Sequence, residues 1–199
     1  SRITGLVSYQ LINAAFGANA QTDAYVVAFR IPNLLRRLFG EGAFSAAFVP
    51  ILAATRAKEG DEITRALIDA VATVLFWALF VTCVLGVLGA PVLVWMFGAG
   101  LKELDLAVVM TRWMFPYIGF MSLVALSAGV LNTWKRFAVP AATPVLLNLS
   151  VISASLFLAP WLSRHGIQPI HALSGGVLLG GALQLGIQVP ALIRVGCLP

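Results

Sequence analysis

Charged residues are scarce in this sequence. Asp, Glu, Lys and Arg make up 11% of the 199 residues and hydrophobic residues make up 60%, whereas ordinary soluble domains are about 25% charged. This composition excludes a soluble globular domain and predicts an all-α integral membrane protein, because helices satisfy their own backbone hydrogen bonds in lipid. The net charge of +5 does not predict a nucleic-acid partner, because basic residues in a membrane protein also mark loop topology.

Cysteines and catalytic motifs are also few. Cys83 and Cys197 are the two cysteines and form no CxxC pair, so the sequence predicts neither a disulfide framework nor a metal site. No HExxH, GxSxG, P-loop or GxGxxG pattern occurs, and His165 and His171 have no carboxylate nearby in the sequence. We therefore predict that the chain is not an enzyme and that it binds no cofactor.

Long apolar runs predict about six transmembrane helices that form a single lobe. The first is too short to cross a bilayer, so we interpret it as the end of a truncated helix. Pro32 is expected to kink or break the second helix, Thr22 or Asp23 to cap its start, and a charged loop over 56–62 to follow it. Gly176 and Gly180 are predicted to form a seam of close helix packing. The predicted helices are 1–16, 22–55, 62–97, 106–134, 141–161 and 170–195.

The basic residues predict the orientation of the chain. One set of loops carries six of them, and the opposite set carries two, Lys102 and Arg164, or three if Arg112 is added. We interpret Arg112 as a snorkelling residue in an aromatic belt. By the positive-inside rule the richer set is cytoplasmic. Its members are Arg56, Lys58, Arg65, Lys135, Arg136 and Arg194.

Arg36 is the charge that topology explains least. It follows Asp23 by thirteen residues, roughly 20 Å along a helix, which places it near the middle of a hydrocarbon core about 30 Å thick. A guanidinium stays charged there, so Arg36 must face protein, water or an anion. With Asn33 one turn away, it suits a phosphate or diphosphate, which the planar guanidinium binds through two hydrogen bonds.

Other charges near these spans have structural alternatives. Arg37 is predicted to pair with Glu41 four residues on, and Asp23 with Arg30 two turns on. Arg2 either joins the anion site or extends to the membrane interface.

Six short patterns along the chain resemble the MurJ (MviN) family of lipid II flippases. The resemblance covers essentially the whole chain, and the block over residues 32–50 is highly specific. The patterns are residues 1–5 (SRITG), 29–39 (FRIPNLLRRLF), 41–45 (EGAFS), 47–50 (AFVP), 131–134 (LNTW) and 144–148 (PVLLN).

The resemblance implies one lobe of a multidrug/oligosaccharidyl-lipid/polysaccharide exporter fold in the bacterial inner (plasma) membrane. It implies that Arg2, Asn33 and Arg36 line a central cavity for lipid II, and that Asp23 belongs to a periplasmic gate. It further implies alternating access coupled to membrane potential or ions, with membrane lipids and a C-terminal lobe as the remaining partners.

The chain also departs from the family pattern. Ser8 and Tyr9 stand where the family usually has an arginine and an acidic residue, Ala46 replaces glutamine, and Ala54-Thr55 replace Glu-Tyr. Two alternatives therefore stand beside the flippase: a related exporter of drugs or lipid-linked polysaccharide, and a degenerate, non-transporting membrane scaffold.

Overall fold

The computed structural model describes residues 12, 14, 16–17, 19–36, 43–98 and 100–198, and these residues form helices joined by short turns. The helices are α1 (Ala20–Arg36), α2 (Ala43–Leu88), α3 (Ala90–Phe97), α4 (Leu104–Met114), α5 (Tyr117–Thr133), α6 (Ala138–Ser153), a π-helical turn (Ala154–Leu158), α7 (Ala159–Arg164), α8 (His171–Gly186) and α9 (Val189–Val195). The predicted all-α fold is confirmed. Four stretches of the described residues are long and apolar enough to cross a membrane, namely Ala46–Leu88, Leu104–Thr133, Ala138–Arg164 and His171–Val195.

The α2 stretch reverses direction at Gly60. Before Gly60 the chain runs parallel to α5, since Val49 lies near Gly129 and Arg56 bonds to Thr133. After Gly60 it runs antiparallel, since Cys83 lies near Gly119 and Gly86 lies at Phe115. Residues 43–59 and 61–88 therefore lie along α5 as two antiparallel segments. Gly60 makes the reversal possible with φ 88° and ψ −179°, a conformation essentially restricted to glycine.

The predicted loop over 56–62 is therefore wrong in extent. Residues on both sides of Gly60 are helical, and the Thr64 hydroxyl donates a hydrogen bond of 2.6 Å to the Gly60 carbonyl. This bond satisfies a carbonyl at the break in the helix. The chain therefore reverses direction at the single residue Gly60, without the predicted loop.

Prolines divide other predicted helices. Pro116 separates α4 from α5 because it has no N–H to continue the helical ladder, so the predicted helix 106–134 is one span with an interruption. Residues 187–188 separate α8 from α9 just before Pro190 in the same way. At Pro32, however, α1 runs without interruption to Arg36, which excludes the break among the two expected alternatives, while the kink stays a prediction.

The predicted glycine seam joins α6 to α8. A methyl group added at Gly176 would lie 2.8 Å from the Ala154 Cβ, and one added at Gly180 would lie 2.8 Å from the Leu147 Cδ1. The Ser150 hydroxyl also donates a 2.9 Å hydrogen bond to the Gly176 carbonyl. These contacts confirm the predicted seam, because the helices approach more closely than any side chain at these positions would allow.

Candidate functional site

The start of α1 is fixed by Asn19. Its Oδ1 accepts hydrogen bonds of 3.0 Å from the backbone N–H groups of Gln21 and Thr22. Asn19 is therefore the helix cap, and the prediction of Thr22 or Asp23 is wrong. Thr22 is instead buried and donates from its hydroxyl to the Gly17 carbonyl at 2.7 Å. The two bonds to Asn19 satisfy N–H groups that would otherwise lack partners in the first turn of α1.

One side of α1 packs into the lobe. Ala24, Tyr25, Ala28 and Ile31 are buried in a cluster with residues of α4, α5 and α8. Their spacing follows the helical period, so packing fixes the rotation of α1 about its axis. The opposite side of the helix consequently faces out of the lobe.

That outward side, which we call the open face, consists of Asp23, Arg30, Asn33 and Leu34. Asp23, Arg30 and Leu34 are exposed and Asn33 is half-buried. The backbone stays helical through Arg36, which keeps Asn33 and Arg36 one turn apart and adjacent on the helix. The open face thus carries an acidic, a basic and an amide side chain on a helix whose opposite side is buried in the lobe.

Asp23 and Arg30 line one cleft of about 280 Å³ against the turn formed by Phe97, Gly98, Gly100 and Leu101. They form no ion pair with each other in the described part of the chain, so the predicted Asp23–Arg30 pair is absent from this conformation. Seven residues separate them, about 10 Å along the helix axis, which is farther than the direct contact of an ion pair. Both side chains are left available at the end of the lobe opposite Gly60.

The other predicted site residues have no described side chains. Arg2, Arg37 and Glu41 lie outside the described residues, and the side chain of Arg36 does as well. Their roles, including the Arg37–Glu41 pair, stay predictions. Among the residues that are described, no group of three or more His, Cys, Asp or Glu side chains could hold a metal ion.

Sequence reasoning missed a cluster around Arg56 at the Gly60 end of the lobe. Arg56 pairs with Asp61 at 2.8 Å, donates to the Thr133 carbonyl at 2.9 Å and lies 4.2 Å from the ring centre of Trp134. One guanidinium therefore joins the Gly60 reversal to the end of α5. Arg65 lies nearby, against Gly196, so the Gly60 reversal of α2 and the ends of α5 and α9 meet here.

The end that carries Arg56 and Arg65 also carries Lys135, Arg136 and Arg194, and we call it the basic end. The charges that the sequence assigned to one side of the membrane are thus at one end of the molecule. Asn19, Asp23 and the turn that contains Gly98 and Gly100 lie at the other end. This arrangement is the one that the positive-inside rule requires.

Comparison with known proteins gives the family. The family model "Lipid II flippase MurJ" matches residues 12–199. This chain belongs to the MurJ family. It is a multi-pass protein of the bacterial inner membrane, and the family is one of transporters.

Individual relatives agree with this assignment. The lipid II flippase MurJ of Burkholderia cenocepacia is 52% identical over 203 residues, which cover 100% of this chain and 39% of that protein. The probable lipid II flippase MurJ of Vibrio cholerae is 40% identical over 209 residues, again 100% of this chain and 39% of the relative. The chain therefore spans about two fifths of the length of the MurJ relatives it matches.

A solved MurJ structure shares the fold. A lipid II flippase MurJ in an inward closed conformation superposes with a TM-score of 0.73 at 29% identity, covering 97% of this chain and 40% of that one. The described helices are therefore the N-terminal lobe of the MurJ fold. The open face of α1 belongs to this lobe.

Proposed function

We propose that this chain is the N-terminal lobe of a lipid II flippase, which moves the undecaprenyl-diphosphate-linked precursor of peptidoglycan from the cytoplasmic to the periplasmic leaflet. The observation that carries the proposal is the family match over residues 12–199 together with a polar face of α1 that no described helix covers. The 52% identity with a named flippase supports the same substrate.

Arg36, Arg2 and Asn33 are proposed to bind the diphosphate. An arginine at mid-depth needs an anionic partner or water, and a diphosphate offers oxygens that a guanidinium binds in pairs. Asn33 adds an amide that hydrogen-bonds to phosphate or sugar oxygens. The site is proposed to lie between this lobe and the C-terminal lobe, because α1 directs its open face out of the lobe.

Transport is proposed to proceed by alternating access. In transporters of this kind two bundles rock about a site near the midplane of the bilayer. Packing of α1 on α4 and α5 makes the lobe suitable as one such rigid bundle. Asp23, in the cleft at the outer end, is proposed to take part in the periplasmic gate, with Arg30 on the same wall, while Arg37 and Glu41 stabilise the helix as a pair. Coupling is proposed to come from membrane potential or ions.

The test compares Arg36→Ala, Arg36→Lys and Arg164→Ala in the full-length protein. We expect Arg36→Ala to weaken lipid II binding at least about tenfold, since hydrogen bonds to charged groups contribute about 1.5–3 kcal/mol. Arg36→Lys should fall between that variant and the wild type, because it keeps the charge and loses the planar fork. Arg164→Ala, an exposed change at the far end of the lobe, should bind normally.

Binding is measured by displacement of labelled lipid II in detergent, and transport by rescue of cells depleted of their own flippase. Unaltered binding and rescue by Arg36→Ala would exclude the proposed diphosphate site. Failure of the unmodified protein to rescue, with rescue after Ser8→Arg and Tyr9→Glu together, would instead show that this copy has lost transport.

A further inference from the structure

A cleft of about 430 Å³ opens at the basic end, between the turn that joins α5 to α6 and the last turn of α9. Three cationic side chains line it, Lys135 and Arg136 from the turn and Arg194 from α9, and all three are exposed. Its remaining wall is apolar and includes Ala138, Val139 and Ala191. Two elements far apart in the sequence therefore bring three positive charges to one apolar cleft.

These charges have no acidic partner in the described part of the chain. Arg56 pairs with Asp61 nearby, whereas no ion pair or side-chain hydrogen bond involves Lys135, Arg136 or Arg194 among the described residues. The same cleft therefore holds three positive charges that none of the described acidic side chains compensates.

Lys135, which lines the cleft, adopts a left-handed backbone conformation that glycine usually occupies at the end of a helix. Helix α5 ends with hydrogen bonds from Lys135 N–H to the Asn132 carbonyl and from Arg136 N–H to the Leu131 carbonyl, which is the Schellman pattern. Two other turns in the chain end in the same way, and there the left-handed residue is Gly166 or Gly196. At the end of α5 it is Lys135, with φ 58°, a conformation disfavoured for residues with a Cβ.

The cleft lies at the membrane boundary. Candidate spans end at Thr133 and Val195, and another begins at Ala138, so the three cations lie where helices leave the hydrocarbon core. Phe137, between the turn and the third span, is 60% exposed. The cations suit the phosphate of a phospholipid headgroup, and the apolar wall and the aromatic ring suit the acyl chains below it.

We propose that this basic cleft is a binding site for an anionic phospholipid of the cytoplasmic leaflet, such as phosphatidylglycerol. Lys135, Arg136 and Arg194 bind the phosphate, and the apolar wall contacts the first methylenes of the acyl chains. The site lies at the opposite end of the lobe from Asp23 and does not use the proposed substrate residues, so it stands or falls independently of the flippase assignment.

The test uses full-length protein and native mass spectrometry after exchange into mixed micelles of phosphatidylglycerol and phosphatidylcholine. The wild type should retain phosphatidylglycerol in preference to phosphatidylcholine. Arg136→Gln with Arg194→Gln should lower that preference roughly thirtyfold, since each of the two cations near a membrane surface contributes about 1 kcal/mol toward anionic lipid. The matched control, Lys102→Gln with Arg164→Gln, removes two exposed cations from the opposite end and should keep the preference.

A second variant separates binding from folding. Lys135→Gly relieves the left-handed strain and removes one charge, so its melting temperature should equal or exceed that of the wild type while its retention of phosphatidylglycerol falls several-fold. Inorganic phosphate at millimolar concentration should not displace the lipid, because it lacks the acyl chains. Equal retention by the wild type and the Arg136→Gln, Arg194→Gln protein, equal loss in the control, or displacement by inorganic phosphate would overturn the proposal.

Discussion

Gly176 and Gly180 show how single residues set the distance between helices in this lobe. Next to Gly176, the Val151 Cα lies 3.1 Å and the Ser150 carbonyl oxygen 3.3 Å from where a Cβ would be. These are backbone atoms, which move only if α6 moves. The predicted function of the seam, packing rather than ligand binding, therefore follows from atoms that no rotamer change can displace.

We expect Gly176→Ala to destabilise the protein by about 1–3 kcal/mol, the range for overpacking a close contact. The matched control is Gly186→Ala in the same helix, where a methyl group would meet nothing within 4 Å. That change should be neutral or stabilise by roughly 0.5–1 kcal/mol, because alanine favours the helix. Thermal unfolding in detergent measures both, and equal melting temperatures would show that α6 and α8 separate at little cost.

At the scale of elements, the sequence predicts the spans far better than the joints between them. Apolar runs identify helices because a backbone in lipid must satisfy its own hydrogen bonds, which a helix does within one segment. The reversal at Gly60 was predicted as a loop since the flanking charges resemble one, whereas hydrogen bonding keeps them helical. The Arg56 cluster could not be predicted, because it joins Arg56 to the Thr133 carbonyl, 77 residues away.

Only part of the candidate site could be predicted from the sequence, because local helical geometry is predictable and the surroundings of a side chain are not. The one-turn spacing of Asn33 and Arg36 follows from local helical geometry, which the sequence supplies. The Asp23–Arg30 pair was predicted from spacing alone, and it is absent because seven residues separate the two groups by about 10 Å along the helix axis.

The Arg56 cluster gives a prediction about how the elements are joined. Arg56→Ala should destabilise the lobe by about 1–2 kcal/mol, because it removes a charged hydrogen bond to a helix-terminal carbonyl and a cation–π contact. Asp61→Asn should cost less than about 0.5 kcal/mol, since the ion pair is 33% and 51% exposed and solvent screens it.

Arg56→Lys separates charge from geometry. A lysine keeps the charge but cannot stack on Trp134 and bond Thr133 together, so its stability should lie closer to that of Arg56→Ala than to the wild type. Lys58→Ala, exposed and without a partner in the described residues, is the control. Thermal unfolding in detergent is the measurement, and a larger effect from Asp61→Asn than from Arg56→Ala would show that the ion pair, not the bridge to α5, holds this end together.

At the scale of the whole molecule, each of the two hydrophobic core clusters lies toward one end of the lobe. One joins α1 and α4 with the first halves of α5 and α8, and the other joins both segments of α2 with the ends of α5 and α9. The acidic and polar groups around Asp23 lie with the first, and the basic end lies with the second. The lobe therefore has more of its described basic residues at one end than at the other, a direction that its packing sets.

This direction predicts the orientation in the membrane, with the basic end in the cytoplasm. In a background of Cys83→Ser and Cys197→Ser, Ser163→Cys should react with a membrane-impermeant maleimide in cells whose inner membrane is intact. Lys58→Cys should react only after that membrane is lysed, although both positions are exposed. The reverse pattern would place the basic cleft in the outer leaflet, and the open face of α1 would then have to receive its substrate from the opposite side.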